Sequence, residues 1–268
     1  MRELSGLVIE GRIKVISDMP DTVQPEALVQ IGRLNRPESL SEMALRELRN
    51  AIIDGRLKLG DQVSELRLSH MLGISKTPVR EALQELRREG LVKIDPQRGT
   101  SVFHLEESEI DQIGELRELL EIAAARRIFA GDRKPAVDAM RKVVDAMHAT
   151  LEAGDVDAYR RLDADFHLVL IAHSGNAYLG EAYGLISAKI GALRTRAHDD
   201  QNVVDRSLVM HTRLLDLLEQ GEEGEFCEKL RLHIGNAGRD YRAWHGSQQA
   251  IAEDALDLRL TTDARPQA

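Results

Sequence analysis

Aromatic residues make up only 3% of the 268 positions, and Cys227 is the single cysteine. One cysteine excludes an intrachain disulfide framework and points to a reducing compartment. The scarcity of rings means that the 43% of hydrophobic residues must pack mainly as Leu, Ile, Val and Ala. That palette favours helix packing over a β-sandwich. No apolar run approaches the ~18 residues that span a bilayer, and the opening MRELSGLVIEGRIK lacks the apolar core of a signal peptide. A soluble, cytoplasmic protein with no membrane partner is expected. Positive charge is also short: a net charge of −9 excludes a chain that coats nucleic acid along its whole length.

The charge is segregated. Residues 39–104 carry 11 Lys/Arg against 9 Asp/Glu, whereas residues 105–268 carry 20 against 30. A mildly basic module therefore precedes an acidic one, and the length fits two domains. Four segments follow from the patterning: an arm or linker over 1–38 with Pro20, Pro25 and Pro37, a first module over 39–104, a second over 105–246, and a polar tail over 247–268 expected to fray.

Within the first module a helix begins at Ser41, with Leu45, Leu48 and Ile52 on one face and Gly55 to end it. A turn at Gly60-Asp61 leads to a short helix from Ser64 that stops near Gly73. The next helix has Thr77 as its expected N-cap and Pro78 at its first position. LVKIDPQRGTSVF then reads as two short strands around a turn ending at Gly99. Three helices, the last two joined by a glycine turn, followed by a β-hairpin, make a winged helix-turn-helix. On its third helix Arg80, Gln84 and Arg87 lie at i, i+4 and i+7 away from the apolar face, with Lys76 just before. Such a stripe suits a major groove, where arginine reads guanine and lysine or arginine holds phosphate. Thr77 and the first-turn amides offer a phosphate site at the helix N-terminus. The plainer reading is a solvated face, with Arg80, Arg87 and Arg88 paired to Glu81, Glu85 and Glu89.

The stretch from LRNAIIDGRLKLGD through LGISKTPVREALQELRREGLV to QRGTSVF, about residues 40–104, resembles the DNA-binding domain of the GntR family of bacterial transcription regulators. The resemblance implies that Lys76, Thr77 and Arg80 touch the operator and that Gly99 of the wing lies along the minor groove. Two departures bear on which operator is read. Lys76 stands where the family usually has arginine, and lysine lacks the bidentate fork. Leu66 stands where the family often has arginine, and Arg67 lies about 100° farther around the helix.

Beyond Leu105 strand signals cease. Helices are expected over 106–130, 135–153, 155–174, 177–197, 203–220 and 225–245, punctuated by Gly131, Gly154, Gly175 and the Gly221–Gly224 loop. The fold class is thus mainly α, a winged helix-turn-helix followed by an all-α helical-bundle ligand-binding domain. An acidic helical domain after such a module is most simply a sensor and a dimerisation domain. Asp163 and His167 are i, i+4, so they share a helix face about 6 Å apart. His211 and His233 each lie 11 residues from the centre of the Gly221–Gly224 loop, so an antiparallel hairpin sets them level. Three histidines and a carboxylate converging in a bundle fit zinc first, with nickel or manganese as alternatives. Alone, Asp163 and His167 read more readily as a helix-surface pair than as metal ligands. His173 and His198, each near a helix C-terminus, read as structural or exposed.

Residues 110–240 resemble the FCD domain, the C-terminal ligand-binding domain of the FadR-type branch of GntR regulators, through LRELLE (116–121), DADFH (163–167), SGN (174–176) and the histidines of MHTRLL and LRLHI. The resemblance implies metal ligation by Asp163, His167, His211 and His233. It also implies a small organic-acid effector beside the metal, for which Arg117 and Arg194 are the candidate cations. Arg117 has an alternative partner in Glu121 at i+4, and Arg194 an alternative place in solvent. The function expected is a homodimeric repressor that binds double-stranded operator DNA under control of that effector. Two rival readings remain: a metal-dependent enzyme built on the same four residues, and a regulator whose metal only braces the bundle.

Overall fold

The computed structural model describes residues 38–198 and 200–263, so the arm expected over 1–37 and residues 264–268 lie outside the described residues. All described residues fall in one compact unit. Its first helix, α1 (Leu40–Ile53), opens on a capping box: the Ser39 hydroxyl accepts from the Glu42 amide and the Glu42 carboxylate accepts from the Ser39 amide. A two-residue strand, β1 (Gln62–Val63), comes next. The helix α2 (Glu65–Leu72) starts at Ser64, whose hydroxyl accepts from the Arg67 amide. It ends at Gly73 with φ 67°, a left-handed cap that a residue without Cβ adopts at no steric cost. The recognition-helix candidate α3 (Lys76–Arg88) and the hairpin β2 (Val92–Asp95) and β3 (Gly99–Val102) complete the module.

The strands form an antiparallel sheet in the order β1-β3-β2, with Gln62 opposite Ser101 and Val92 opposite Val102. This is the winged helix-turn-helix expected, with two corrections. β1 is an additional strand; two residues are too few to show a period of two, so only pairing with β3 reveals it. The cap of α3 is Ser75 rather than Thr77, and Pro78 is the third helical residue. Proline is tolerated there because the first four amides of a helix have no intrahelical partner to lose.

Six helices follow: α4 (Glu107–Phe129), α5 (Lys134–Glu152), α6 (Val156–His173), α7 (Ala177–Ala197), α8 (Gln201–Gln220) and α9 (Glu223–Asp263). The last runs on to Asp263, past the point near 245 where the sequence pattern was expected to give way to a fraying tail. SQQAIAEDALDLRL contains no glycine or proline to stop it. Among the described residues no helix is long and apolar enough to cross a membrane.

Three apolar cores hold the described residues together, the smallest around Ile171, Tyr183, Ile186 and Ile190. The bundle core joins Met140, Met147, Leu170, Leu214, Leu217 and Leu230 to the buried rings of Tyr159, Phe166 and Phe226. The second core does not stop at the wing. Leu48, Leu86, Leu91 and Phe103 of the first module pack with Ile110, Ala192, Leu193 and Tyr241 of the helical one. Buried Arg196 of α7 locks this junction, donating to the Ile52 carbonyl (3.0 Å) and the Ile53 carbonyl (3.2 Å) at the C-terminus of α1 and to the Leu57 carbonyl (3.2 Å) just beyond it. Carbonyls at a helix C-terminus have no intrahelical donor, so one guanidinium from the bundle satisfies several of them. Gly191, one turn earlier, lets Ile53 approach to 3.3 Å from where a Cβ would stand.

Candidate metal centre and DNA-reading face

The bundle interior is crossed by polar pairs spaced i, i+4 on four helices: Arg117 and Glu121 on α4, Asp163 and His167 on α6, Arg194 and His198 on α7, and Ser207 and His211 on α8. Each residue of these pairs is buried, as is His233 on α9. Helical spacing puts each pair on one face, and the packing turns all those faces inward. One ligand atom from each of Asp163, His167, His211 and His233 lies within 4.8 Å of the other three. The four residues expected to converge therefore do so. The antiparallel pairing of α8 and α9 brings the His211 and His233 rings to 4.6 Å between centroids.

Two donor pairs of the set have the spacing of a coordination sphere. His167 Nε2 and His233 Nε2 are 3.2 Å apart, and His211 Nε2 is 3.6 Å from Asp163 Oδ1. Tetrahedral zinc with Zn–N bonds near 2.0–2.1 Å sets neighbouring ligand atoms about 3.3 Å apart. His211 gives the sharpest observation. Both its ring nitrogens are buried without a hydrogen-bond partner among the described residues, a costly state for a polar group that a metal bond removes. Asp163 is held by the Ser207 hydroxyl (3.0 Å to Oδ1) and by the Arg194 guanidinium against Oδ2. These residues fit a divalent transition metal.

Glu121 fixes the tautomer of His167. Its carboxylate can only accept, so His167 Nδ1, 2.7 Å away, carries the proton and Nε2 presents a lone pair to the cluster. Glu121 also accepts from Arg117 (2.7 Å) and from the Tyr183 hydroxyl (3.2 Å). Arg117 therefore has the Glu121 partner that its spacing suggests, and its other arm donates to His167 Nε2 at 2.8 Å. Arg194 is buried, not solvated, and its Nη2 has no hydrogen-bond partner among the described residues.

Burial sets the protonation states. It pushes the His167 pKa down to about 4 against the pull of Glu121, and that of His211 down to about 3. Burial, with His211 and His167 beside it, holds His233 well below the usual range. All three are neutral imidazoles at pH 7, the form that binds metal. Burial alone would raise the Asp163 carboxyl, but Arg194 first, then His211, outweigh it and hold the group well below the carboxylate range. A consequence follows for metal-free protein. Unfolded histidines take up protons near pH 6.5, whereas folded His167 and His211 resist until about 4 and about 3. Between those limits the unfolded chain binds more protons, so stability falls as pH drops through that window. Thermal unfolding of chelated protein should show Tm decreasing from pH 7 to pH 4; a flat Tm would contradict burial of neutral histidines.

A cavity of about 420 Å³ opens onto the cluster, with Asp163, His233, Arg117 and Arg194 in its wall beside His198, Ser207 and Asn236. His198, read from its helix-end position as structural or exposed, thus faces the cavity; His173 is exposed. Sequence reasoning passed over Glu121, Ser207 and His198 as site residues. The available signal was their i, i+4 spacing from Arg117, His211 and Arg194.

In the winged module Lys76, Thr77, Arg80, Gln84 and Arg87 are all exposed along α3, while Val79, Ala82, Leu83 and Leu86 are buried on its other side. Arg80 is not paired with its own helix. It forms a bidentate contact with Glu65 of α2, at 2.8 and 2.7 Å. Arg88 does pair with Glu85, as the plainer reading of the face suggests, whereas Glu89 pairs with Arg49 of α1. The wing turn is built on Asp95, whose carboxylate accepts from the amides of Gln97 (2.8 Å) and Arg98 (3.0 Å). Exposed Gly99, at φ 85°, closes it. Leu66, where the family often carries arginine, is 52% exposed.

Comparison with known proteins places both regions. Residues 40–102 match the family model for bacterial regulatory proteins of the gntR family, and residues 112–236 match the FCD domain. An uncharacterized HTH-type transcriptional regulator from the TAR-I ttuE-ttuC' intergenic region of Agrobacterium vitis is 36% identical over 170 residues, 62% of this chain and 95% of that protein. The gluconate operon transcriptional repressor of Bacillus subtilis (strain 168) is 30% identical over 219 residues, 78% of this chain and 88% of that protein. A probable D-xylose utilization operon transcriptional repressor of Paenarthrobacter nicotinovorans is 30% identical over 182 residues, 68% and 79% respectively. Among solved structures, a GntR regulator from Rhodococcus sp. RHA1 superposes with a TM-score of 0.67 at 21% identity, covering 76% of this chain and 97% of that one, a likeness of fold.

Proposed function

This chain belongs to the GntR family of bacterial transcription regulators and carries an FCD domain, so it is a DNA-binding regulator; from that premise we propose a homodimeric, cytoplasmic repressor whose hold on its operator is set by a small carboxylate bound beside a divalent metal. The observation that carries this reading is the position of the Asp163, His167, His211 and His233 cluster. Two of its members, Asp163 and His233, stand in the wall of a cavity that also presents Arg117 and Arg194. A metal that only braced the bundle would not need a cavity with two guanidiniums at its side. Repression is supported by the names of two relatives, the repressors of gluconate and D-xylose operons; gluconate is itself a hydroxy acid.

Zinc suits the three imidazoles and one carboxylate best, with nickel or manganese as alternatives. A divalent ion held there would supply a Lewis-acidic position for one carboxylate oxygen. The protein's own groups do the rest. Glu121 orients His167, Ser207 and Arg194 orient Asp163, and the buried Arg194 Nη2 is available for the second carboxylate oxygen. Arg117 Nη2 points at the same lone pair of His167 that a metal would use, so a metal held there would take the place of that contact while Arg117 Nε keeps its bond to Glu121. The signal path is short: Arg194 and Arg196 lie two residues apart on α7, one at Asp163 and the other on the carbonyls after α1. A ligand that shifts the end of α7 bears on the placement of the winged module.

On the DNA side, Lys76, Thr77, Arg80, Gln84 and Arg87 read the major groove and Gly99 lets the wing backbone approach the minor groove. Selection from a random duplex pool tests this directly. A two-fold dimer should enrich two half-sites related by a dyad, and affinity should fall steeply with salt as phosphate contacts release counterions. A pool with no enriched sequence, or binding indifferent to salt, would overturn the groove assignment.

A further inference from the structure

Residues two apart on a helix point about 200° away from one another, so Arg194 and Arg196 leave α7 on nearly opposite sides. Arg194 reaches into the bundle against Asp163. Arg196 reaches the winged module, and its Nη1 donates to the Ala192 carbonyl of α7 itself (2.8 Å) as well as to the Ile52 and Ile53 carbonyls of α1. The guanidinium is thereby tied to both helices at once. The C-terminal carbonyls of a helix carry partial negative charge and favour a cation, yet the last turn of α1 holds no basic residue of its own. Arg196, buried in the junction, supplies that cation from α7. Lys189 repeats the arrangement two turns earlier, on the same face at i−7. Its Nζ lies 2.9 Å from where a Cβ on Gly90 would stand, and Gly90 directly follows Glu89, the C-cap of α3. Between the two cations Ala192 and Leu193 pack in the core shared with Leu48 and Leu86. One face of α7 thus holds the C-terminal ends of both α1 and α3, the helix that presents Arg80.

We propose that Arg196, supported by Lys189, is a clamp that holds the winged module in its operator-binding placement, and that a carboxylate taken up at Arg194 opens it. This rests on the carboxylate-sensing reading above and adds the positioning residues through which it acts. A carboxylate at Arg194 competes with Asp163 for the guanidinium, which loosens the tie between the last turn of α7 and α6. Because α7 is one continuous helix, position 196 moves with position 194. A half-opened clamp leaves a buried guanidinium without its carbonyl acceptors, which is costly, so the contacts are made or lost together. Two half-sites at a fixed spacing require two modules at a fixed placement, and loss of the clamp therefore weakens the hold on the operator.

The test uses the zinc-loaded full chain, with operator affinity measured on the duplex selected from the random pool and acid affinity by calorimetry with acetate, lactate, gluconate and glucuronate. Without any acid, Arg196→Leu should bind the operator about 5- to 150-fold more weakly than wild type, the size of an ordinary coupling, and acid should weaken it no further. Arg196→Lys keeps a cationic donor and should fall between the two. Arg196→Leu should also bind the acid more tightly than wild type, because the acid no longer has to open the clamp. A substitution that only loosened the fold would not raise the affinity of a ligand on the opposite side of α7. Lys189→Met, at a half-buried position, should shift both affinities in the same directions by less, and it carries the test if Arg196→Leu does not fold. Unchanged operator affinity, acid affinity no higher than wild type, or release by acid at the wild-type factor would each overturn the clamp while leaving a carboxylate sensor in place. If no acid of the panel binds wild type, the sensor reading falls and the opening of the clamp with it. The hold of Arg196 on the winged module is then decided by operator affinity alone.

Discussion

Replacing His211 with alanine lowers zinc affinity by about 100- to 1,000-fold. The magnitude follows from spreading the roughly 10–16 kcal/mol of a four-ligand zinc site over its ligands, about 2.5–4 kcal/mol each, at about 1.4 kcal/mol per decade. His211 is the informative ligand because its ring makes no hydrogen bond among the described residues. Alanine therefore removes no paired polar contact from metal-free protein, and the loss reads out metal binding rather than folding. The ring does pack against Phe166, at 4.2 Å between centroids, so a modest Tm decrease from lost packing is expected with or without metal. The zinc-dependent part of the Tm is separate. A ligand at about 1,000 times its Kd adds about 4 kcal/mol to apparent stability, and this increment should vanish in the variant. Glu121→Gln offers a graded comparison. It keeps all four ligands but weakens the carboxylate that orients His167, for which roughly 10- to 100-fold is expected. Competition against a chelator of known affinity measures both, and equal affinity of wild type and His211→Ala would remove the site.

Arg80→Ala lowers specific operator affinity by roughly tenfold to a hundredfold per half-site, and by the square of that for a dimer on two half-sites, through the loss of a bidentate base contact. The structure makes this more than a charge argument. Arg80 is exposed and its guanidinium is already held as a fork by Glu65 of α2. The fork is oriented before DNA arrives, so less side-chain freedom is lost on binding. Loss of a phosphate contact such as Lys76→Ala should behave differently, weakening all sequences alike and reducing the salt slope by about one. Because Arg80 sits on the solvent side of α3, its removal should leave unfolding unchanged. Quantitative footprinting on the selected operator separates these outcomes; an unchanged footprint for Arg80→Ala would move recognition elsewhere.

Much of this was legible from spacing. Five of the six bundle helices could be placed within a few residues because glycines such as Gly154, Gly175 and Gly221 mark their ends, whereas the last overran its expected end near 245. The level pairing of His211 and His233 followed from their equal distance to the Gly221 turn. What escaped was whatever depends on contacts between distant segments. β1 is defined only by β3, and the partner of Arg80 is Glu65, 15 residues away on another helix. The same holds for Glu121 and Ser207, each of which serves a ligand more than 40 positions distant. Local pattern does mark them as half of an i, i+4 polar pair. It does not say which of the many such pairs on an acidic helical surface turn inward. The shared core at Ile110, Leu193 and Tyr241 was hidden for a related reason, since apolar residues at a junction look like any others.

The most direct measurement follows operator release by fluorescence anisotropy in three samples: zinc-loaded protein, chelator-treated protein and zinc-exposed His211→Ala. The operator is the duplex selected from the random pool, and the ligand is the tightest binder found by calorimetry among small carboxylic and sugar acids. Coupling of the ordinary size gives a 5- to 150-fold loss of operator affinity, about 1–3 kcal/mol. That loss is expected in the zinc-loaded wild type alone. An equal loss in all three samples would place the sensor away from Asp163, His167, His211 and His233, and would contradict a metal-held carboxylate as the signal.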